Sequence, residues 1–226
     1  MLKIAVTGAN GKMGQAIVAA IAEDKACCLA QALTRQDQLT EKFDVLVDFT
    51  LPLATSYYLK RCVELSRPMI IGTTGLNSKE QNALQDAAKS IPIVFAPNMS
   101  IGINICYNLL ATCVKLITED WQIAISETHH QHKKDAPSGT ALKMAEVITA
   151  NSGLAESALQ INSCRIGEVT GEHTALFVGA GESIEITHRA FNRQAFASGA
   201  ILAAKWVLNQ KPGLYSMQDV LAAKKD

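Results

Sequence analysis

The opening of the chain, MLKIAVTGANGKMGQAIVAAIAE, constrains the fold more than any other stretch. Residues 2–7 form a short apolar run, and Met13, Ile17, Val18 and Ile21 then recur at the spacing of one helical face. Gly8, Gly11 and Gly14 lie at the junction. Glycines between a strand and a helix allow a tight turn and a close backbone approach to a pyrophosphate, whose charge the helix N-terminus favours. The spacing is G-x-x-G-x-x-G and not the commoner G-x-G-x-x-G, so alone it also fits a plain β–α connection.

The alternation continues. CLAQAL (28–33), DVLVDFT (44–50), PMIIGTTG (68–75) and IPIVFAPN (91–98) read as strands, with helices predicted over 53–65 and 78–89. Apolar strands alternating with helices imply a parallel sheet covered on both faces, the Rossmann-like, doubly wound α/β pattern. The turns GTTG (72–75) and APNMS (96–100) end such strands, where ligands of open α/β sheets gather. After Asn98 the pattern changes. Residues 101–117 predict one long apolar helix. WQIAISETHH, LQINSCRIGE, GEHTALFVG and SIEITHRA then alternate apolar with polar residues, as antiparallel strands with one wet or ligand-facing side do. Residues 195–210 return to helix, stopped by Lys211-Pro212-Gly213. The expected division is a dinucleotide-binding domain of residues 1–100 and 194–226, and a mixed α+β domain of residues 101–193.

Composition narrows the partner. Lys and Arg number 21, as do Asp and Glu, for a net charge of zero. A nucleic-acid binder normally carries a basic excess, so a small anion is expected instead. Cys27, Cys28, Cys62, Cys106, Cys113 and Cys164 form no C-x-x-C pair and sit mostly among apolar neighbours, which suits a reducing compartment. The immediate entry into a strand leaves no room for a leader, and no apolar run approaches the ~20 residues of a membrane span. A soluble, cytoplasmic protein is expected.

The end of the second strand bears on the cofactor. An acid there normally bonds the adenosine ribose, whereas an arginine accommodates a 2′-phosphate. Here stand Thr34 and Arg35, with no acid until Asp37. That favours NADPH, with NADH possible.

ETHHQHKKDAPSGTA (127–141) concentrates three histidines and two lysines ahead of a Ser-Gly-Thr turn. Metal ligation by His129, His130 and His132 lacks an H-E-x-x-H pattern or a cysteine partner, so no metal is expected. A solvated basic loop is the plainer alternative. The third reading is a pocket for a small dicarboxylate. Ser138 is placed to cap the helix that follows, and the amides of Gly139 and Thr140 would face an anion. Lys133 adds a positive charge that can give up a proton, and His129 or His130 can hold a substrate or pass protons. His188, beside Arg189 in EITHR, is expected to pack or to line an interface.

E-x-H-H-x-x-K-x-D-x-P-S-G-T-A resembles the signature of the dihydrodipicolinate reductase (4-hydroxy-tetrahydrodipicolinate reductase) family. GANGKMG, DVLVDFT, IGTTG, APNMSIGIN, GEHTALF and EITHRAFNRQAFASGA extend the likeness along nearly the whole chain. The resemblance implies an NAD(P)H-dependent enzyme of diaminopimelate and lysine synthesis, with a Rossmann-like domain and a substrate domain whose open sheet builds a homotetramer. It implies His129 as proton donor or acceptor, Lys133 as proton donor and His130 as a substrate contact. Gly139 and Thr140 would hold a substrate carboxylate. Gly8, Ala9, Asn10, Gly11, Lys12 and Met13, with Gly72, Thr73, Thr74, Ala96, Pro97, Asn98 and Met99, would contact the cofactor. Two departures stand out. Many members carry Glu where this chain has Thr34, which tilts the expectation further to NADPH. The connections Arg35–Phe43 and Arg165–Gly171 look short for the family, the second in the sheet expected to mediate assembly. A non-catalytic dinucleotide sensor or a reductase of another small acid are the rival readings. The His129, His130 and Lys133 set argues against a sensor.

Overall fold

The computed structural model describes residues 1–35, 37–118, 120–153 and 159–222. The chain forms two compact units, residues 1–101 with 193 onward, and residues 102–192.

The first unit is built on six parallel strands in the order β10-β5-β4-β3-β1-β2. They are β1 (Leu2–Thr7), β2 (Cys27–Leu33), β3 (Val45–Asp48), β4 (Met69–Ile71), β5 (Pro92–Phe95) and β10 (Gly213–Tyr215). Their continuous apolar runs follow from two covered faces. Ile4, Val6, Val45, Val47, Ile70 and Val94 join one buried cluster with α1 (Lys12–Glu23) and α6 (Gln194–Val207). The alternate residues Ala5, Leu46, Met69, Ile71 and Ile93 join the other with α2 (Pro52–Glu64) and α3 (Ser78–Ala87). Proline at N1 pre-sets the start of α2. Asn77 and Glu80 close a capping box at the start of α3. The short α7 (Met217–Ala222) completes the unit.

The second unit carries four strands in the order β7-β6-β8-β9: β6 (Gln122–His129), β7 (Gln160–Arg165), β8 (Gly171–Val178) and β9 (Ser183–Ala190). One face is covered by α4 (Ile101–Cys113) and α5 (Gly139–Ser152), through Ile103, Tyr107, Leu110, Met144 and Ile148 packed on Ile125, Ala175 and Phe177.

Three elements differ from expectation. β7 runs parallel to β6, and only β6–β8 and β8–β9 are antiparallel. Residues 130–159 contain α5, and a helical crossover of that length permits a parallel return. The α4 helix stops at Cys113, short of the predicted 117, in tight turns through Leu116 and Ile117. β10, a three-residue edge strand, begins at Gly213, where the sequence predicts only the Lys211-Pro212-Gly213 stop of α6. Among the described residues no helix is long and apolar enough to cross a membrane.

Candidate active site

In the first unit, the expected cofactor residues fall on the connections that leave the C-terminal ends of the parallel strands. Gly8 adopts a positive φ of 62° and its carbonyl accepts from Gly11 N–H at 2.9 Å. A methyl at Gly14 would lie 2.2 Å from that carbonyl oxygen, so only glycine lets α1 pack this close to the turn. Ala9 N–H donates to Leu33 O at 3.0 Å, which ties the turn to the end of β2. Gly11 caps α1 without a side-chain hydrogen bond. A first turn whose amides donate no hydrogen bond to the capping residue's side chain suits a diphosphate. Asn10, Gly11 and Lys12 are exposed, and Met13 is half-buried. Gly72–Thr74 follow β4, with Gly72 N–H on Asp48 O at 2.9 Å. Ala96–Met99 follow β5, with Ala96 N–H on Ile71 O at 3.1 Å. The residues present therefore fit a dinucleotide.

Two features here were not anticipated. Asp48, fully buried at the end of β3, accepts from the hydroxyls of Thr7, Thr50 (2.6 Å), Thr55 and Thr73 (3.1 Å). One carboxylate thereby joins the ends of β1 and β3 to α2 and to the turn after β4. At the end of β2, Asp37 folds back and accepts from Thr34 N–H (2.8 Å) and Thr34 Oγ1 (2.7 Å). These bonds hold its carboxyl below the ordinary range. Arg35 is exposed beside it.

In the second unit, strand register builds the site. The inward face of β6 reads Ile123, Ile125, Glu127, His129, and that of β8 reads Phe177, Ala175, His173, Gly171. Pairing places Ser163, Glu127, His173 and His188 in one row across the sheet, directly above the apolar row Ile161, Ile125, Ala175 and Ile186. Arg165 is the β7 partner of His129. The five residues from Ile166 to Thr170 pass the end of β6, held by Ile166 N–H on His129 O (2.9 Å) and Gln131 N–H on Gly167 O (3.1 Å). The connection that looked short thus braces the histidine loop.

Glu127 is the hub. It is 2% exposed, and Arg165 grips it with two bonds, Nη1 to Oε2 at 3.0 Å and Nη2 to Oε1 at 2.7 Å. Ser138 N–H donates to Oε1 at 3.2 Å, and His129 Nδ1 contacts Oε2. Burial pushes the Glu127 carboxyl up, but hydrogen bonds from Arg165, Ser163 and His129 win and bring it down to about 2. His129 and His173 meet edge to face, ring centroids 4.9 Å apart. Burial lowers both imidazoles, His173 to about 3 with the neighbouring His129 adding to the effect. His173 Nε2 lies 3.1 Å from Ser138 Oγ, which caps α5 by accepting from Ala141 N–H at 3.2 Å. Gly139 and Thr140 form the first turn of α5, where amides lack intrahelical acceptors. The Thr140 side chain hydrogen-bonds Tyr107. Lys133 is half-buried and pairs with Asp135 at 2.9 Å.

His129, Ser138 and the start of α5 are thus brought together. His130 stands in the following loop with its ring 6.3 Å from that of exposed His132. Among the described residues, the group with metal-ligand spacing is a different one, Glu127, His129 and His173, whose ligand atoms lie within 4.8 Å of one another. Both oxygens of its carboxylate already bind a guanidinium, which a metal ion would have to displace. Glu127, Arg165 and His173 were missed in the sequence. The available signal was the inward row of each strand, which turns from apolar to polar at Glu127 and His173.

A glycine-turn parallel sheet joined to a second unit that holds a buried carboxylate, two imidazoles and a lysine is the architecture of a two-unit, dinucleotide-dependent oxidoreductase. The chain belongs to the dihydrodipicolinate reductase family. Residues 2–99 match "Dihydrodipicolinate reductase, N-terminus" and residues 102–221 match "Dihydrodipicolinate reductase, C-terminus". It is 39% identical to the 4-hydroxy-tetrahydrodipicolinate reductase of Geotalea uraniireducens (strain Rf4), over 99% of this chain and 100% of the relative. Identity to the enzyme of the same name from Nitrosomonas eutropha is also 39%, covering 99% of each. These alignments run over 267 positions against the 226 residues here, so the relatives carry residues that this chain lacks. The dipicolinate-bound dihydrodipicolinate reductase from Paenisporosarcina sp. TG-14 superposes with a TM-score of 0.80 at 22% identity, over 97% of this chain and 99% of that one. A diaminopimelate dehydrogenase from C. glutamicum shares the fold more distantly, with a TM-score of 0.59 at 12% identity over 100% and 99% of the two chains.

Proposed function

We propose that this protein reduces 4-hydroxy-tetrahydrodipicolinate to tetrahydrodipicolinate with loss of water, in diaminopimelate and lysine biosynthesis. The observation that carries the reading is a convergence within residues 127–173: the cation Lys133, the capped start of α5, and buried His129 at ring contact with His173. In this reading the first unit binds the reduced dinucleotide and the second binds the substrate. The dinucleotide, when bound, supplies the hydride.

The chain's own residues do the rest. The amides of Gly139 and Thr140 hold a substrate carboxylate, with the α5 dipole behind them. Lys133 supplies a second positive charge and delivers a proton to the ring position that gains electron density. His130 orients the ring, and His129 exchanges protons. Asp135 holds the Lys133 ammonium near these groups before substrate binds.

NADPH is the proposed donor over NADH. Arg35 is exposed at the end of β2, and the nearest acid, Asp37, is engaged by Thr34. A cytoplasmic homotetramer, assembled through the open face of the β7-β6-β8-β9 sheet, is the proposed working form. The test is oxidation of NADPH and of NADH by the purified protein, with substrate generated in situ from pyruvate and aspartate semialdehyde by the preceding synthase. Rapid oxidation, faster with NADPH, is expected. Equal rates would remove the cofactor argument and leave the reductase. Silence with both, in protein that still binds dinucleotide, would favour a sensor.

A further inference from the structure

The Glu127–Arg165 pair does more than fill the row above the core. Arg165 is held in place by two further hydrogen bonds: Nη2 donates to Asp135 O at 2.6 Å and Nη1 to Cys164 O at 2.7 Å, besides its fork on Glu127. The carboxylate it clamps touches both halves of the site. One oxygen meets His129 Nδ1, and the other accepts Ser138 N–H at the cap of α5. An ionised carboxylate only accepts, so the His129 nitrogen facing it carries the hydrogen. The lone pair then lies on Nε2. On that side the chain has Gly171, where a methyl would come within 3.1 Å of Nε2. A buried Arg–Glu pair contributes little net stability relative to apolar packing, so stability alone gives no reason for this geometry.

We propose that Glu127, clamped by Arg165, is the positioning residue of this site: it fixes His129 with its proton on Nδ1 and presents Nε2 as the atom that exchanges protons. Through Ser138 the same carboxylate sets the start of α5, so the imidazole and the carboxylate-holding turn are placed by one group. The inference rests on the reading that His129 handles protons. The charged and titratable groups facing His129 are Glu127 on its own strand, Arg165 from β7, His173 from β8 and Lys133 from the following loop, with Asp135 paired to Lys133.

The test is long-range 1H–15N NMR of the histidine rings, with pH profiles of kcat/KM for wild type, Glu127→Gln and Arg165→Lys. Wild type is expected to show His129 protonated on Nδ1. Glu127→Gln should lose this preference and lose kcat/KM by roughly 10²-fold or more, in line with loss of an orienting carboxylate. Its acidic limb should move to lower pH, because the anion that favours the imidazolium is gone. Arg165→Lys keeps the charge without the fork and should fall between the two. A wild-type ring protonated on Nε2 overturns the proposal, and so does a Glu127→Gln protein that keeps the Nδ1 proton and turns over within twofold. If Glu127→Gln does not fold, the wild-type spectrum alone decides. Wild-type turnover by His129→Ala would instead overturn the underlying proton role and leave the tautomer assignment standing.

Discussion

Glu127 and His173 couple the stability of the fold to pH. His173 falls from its ordinary 6.5 to about 3 in the folded protein, through burial first and the nearby His129 second. Between those values the unfolded chain binds a proton that the folded chain refuses, so stability falls as pH drops below 6.5. Glu127 falls from 4.5 to about 2, against its burial and because of Arg165, so its contribution is present above 4.5 and lost below it. Both act in one direction. Urea denaturation from pH 6.5 to pH 4.5 should show a loss approaching about 1.4 kcal/mol per pH unit for each such proton, and His173→Gln should flatten the curve. Parallel curves for the two proteins would contradict the assignment. Arg165→Ala should cost about 3–5 kcal/mol, since it leaves a buried carboxylate without its cation. The histidine and lysine cluster was visible in sequence because its residues are contiguous. Glu127, Arg165 and His173 were not, because cross-strand register, spanning 38 residues between Glu127 and Arg165, brings them together.

At the scale of elements, the parallel sheet was readable because strands buried on both faces leave unbroken apolar runs. The parallel pairing of β7 was not, since alternation is the same for a strand of either direction. A three-residue edge strand such as β10 carries too few residues for any period. Nothing in the sequence around Asp48 marks it out, yet its carboxylate joins the ends of β1 and β3 to α2 and the turn after β4. Asp48→Ala takes the shared acceptor from buried hydroxyls and should destabilise by about 2–4 kcal/mol, as chemical denaturation would measure. The start of α5 gives a second test. Ser138→Ala removes the cap on Ala141 N–H and the partner of His173, and should cost about 1 kcal/mol while raising the KM for substrate. An unchanged KM would separate that turn from substrate binding.

Over the whole molecule, the proposed function divides dinucleotide affinity and proton chemistry between the two units. Gly14→Ala brings a methyl within 2.2 Å of a backbone oxygen in the glycine turn, so it should weaken NADPH binding. Lys133→Ala should leave that binding intact. In the sequence, buried parallel strands give way to half-wet ones after residue 98, because each pattern reports a different covering of the sheet. The most direct test is turnover of Lys133→Ala with 4-hydroxy-tetrahydrodipicolinate, alongside its NADPH Kd. A fall in kcat of roughly 10²–10⁴-fold, or more from the lost charge contact, is expected with the Kd unchanged. Turnover within a few-fold of wild type would mean that Lys133 is not the proton donor.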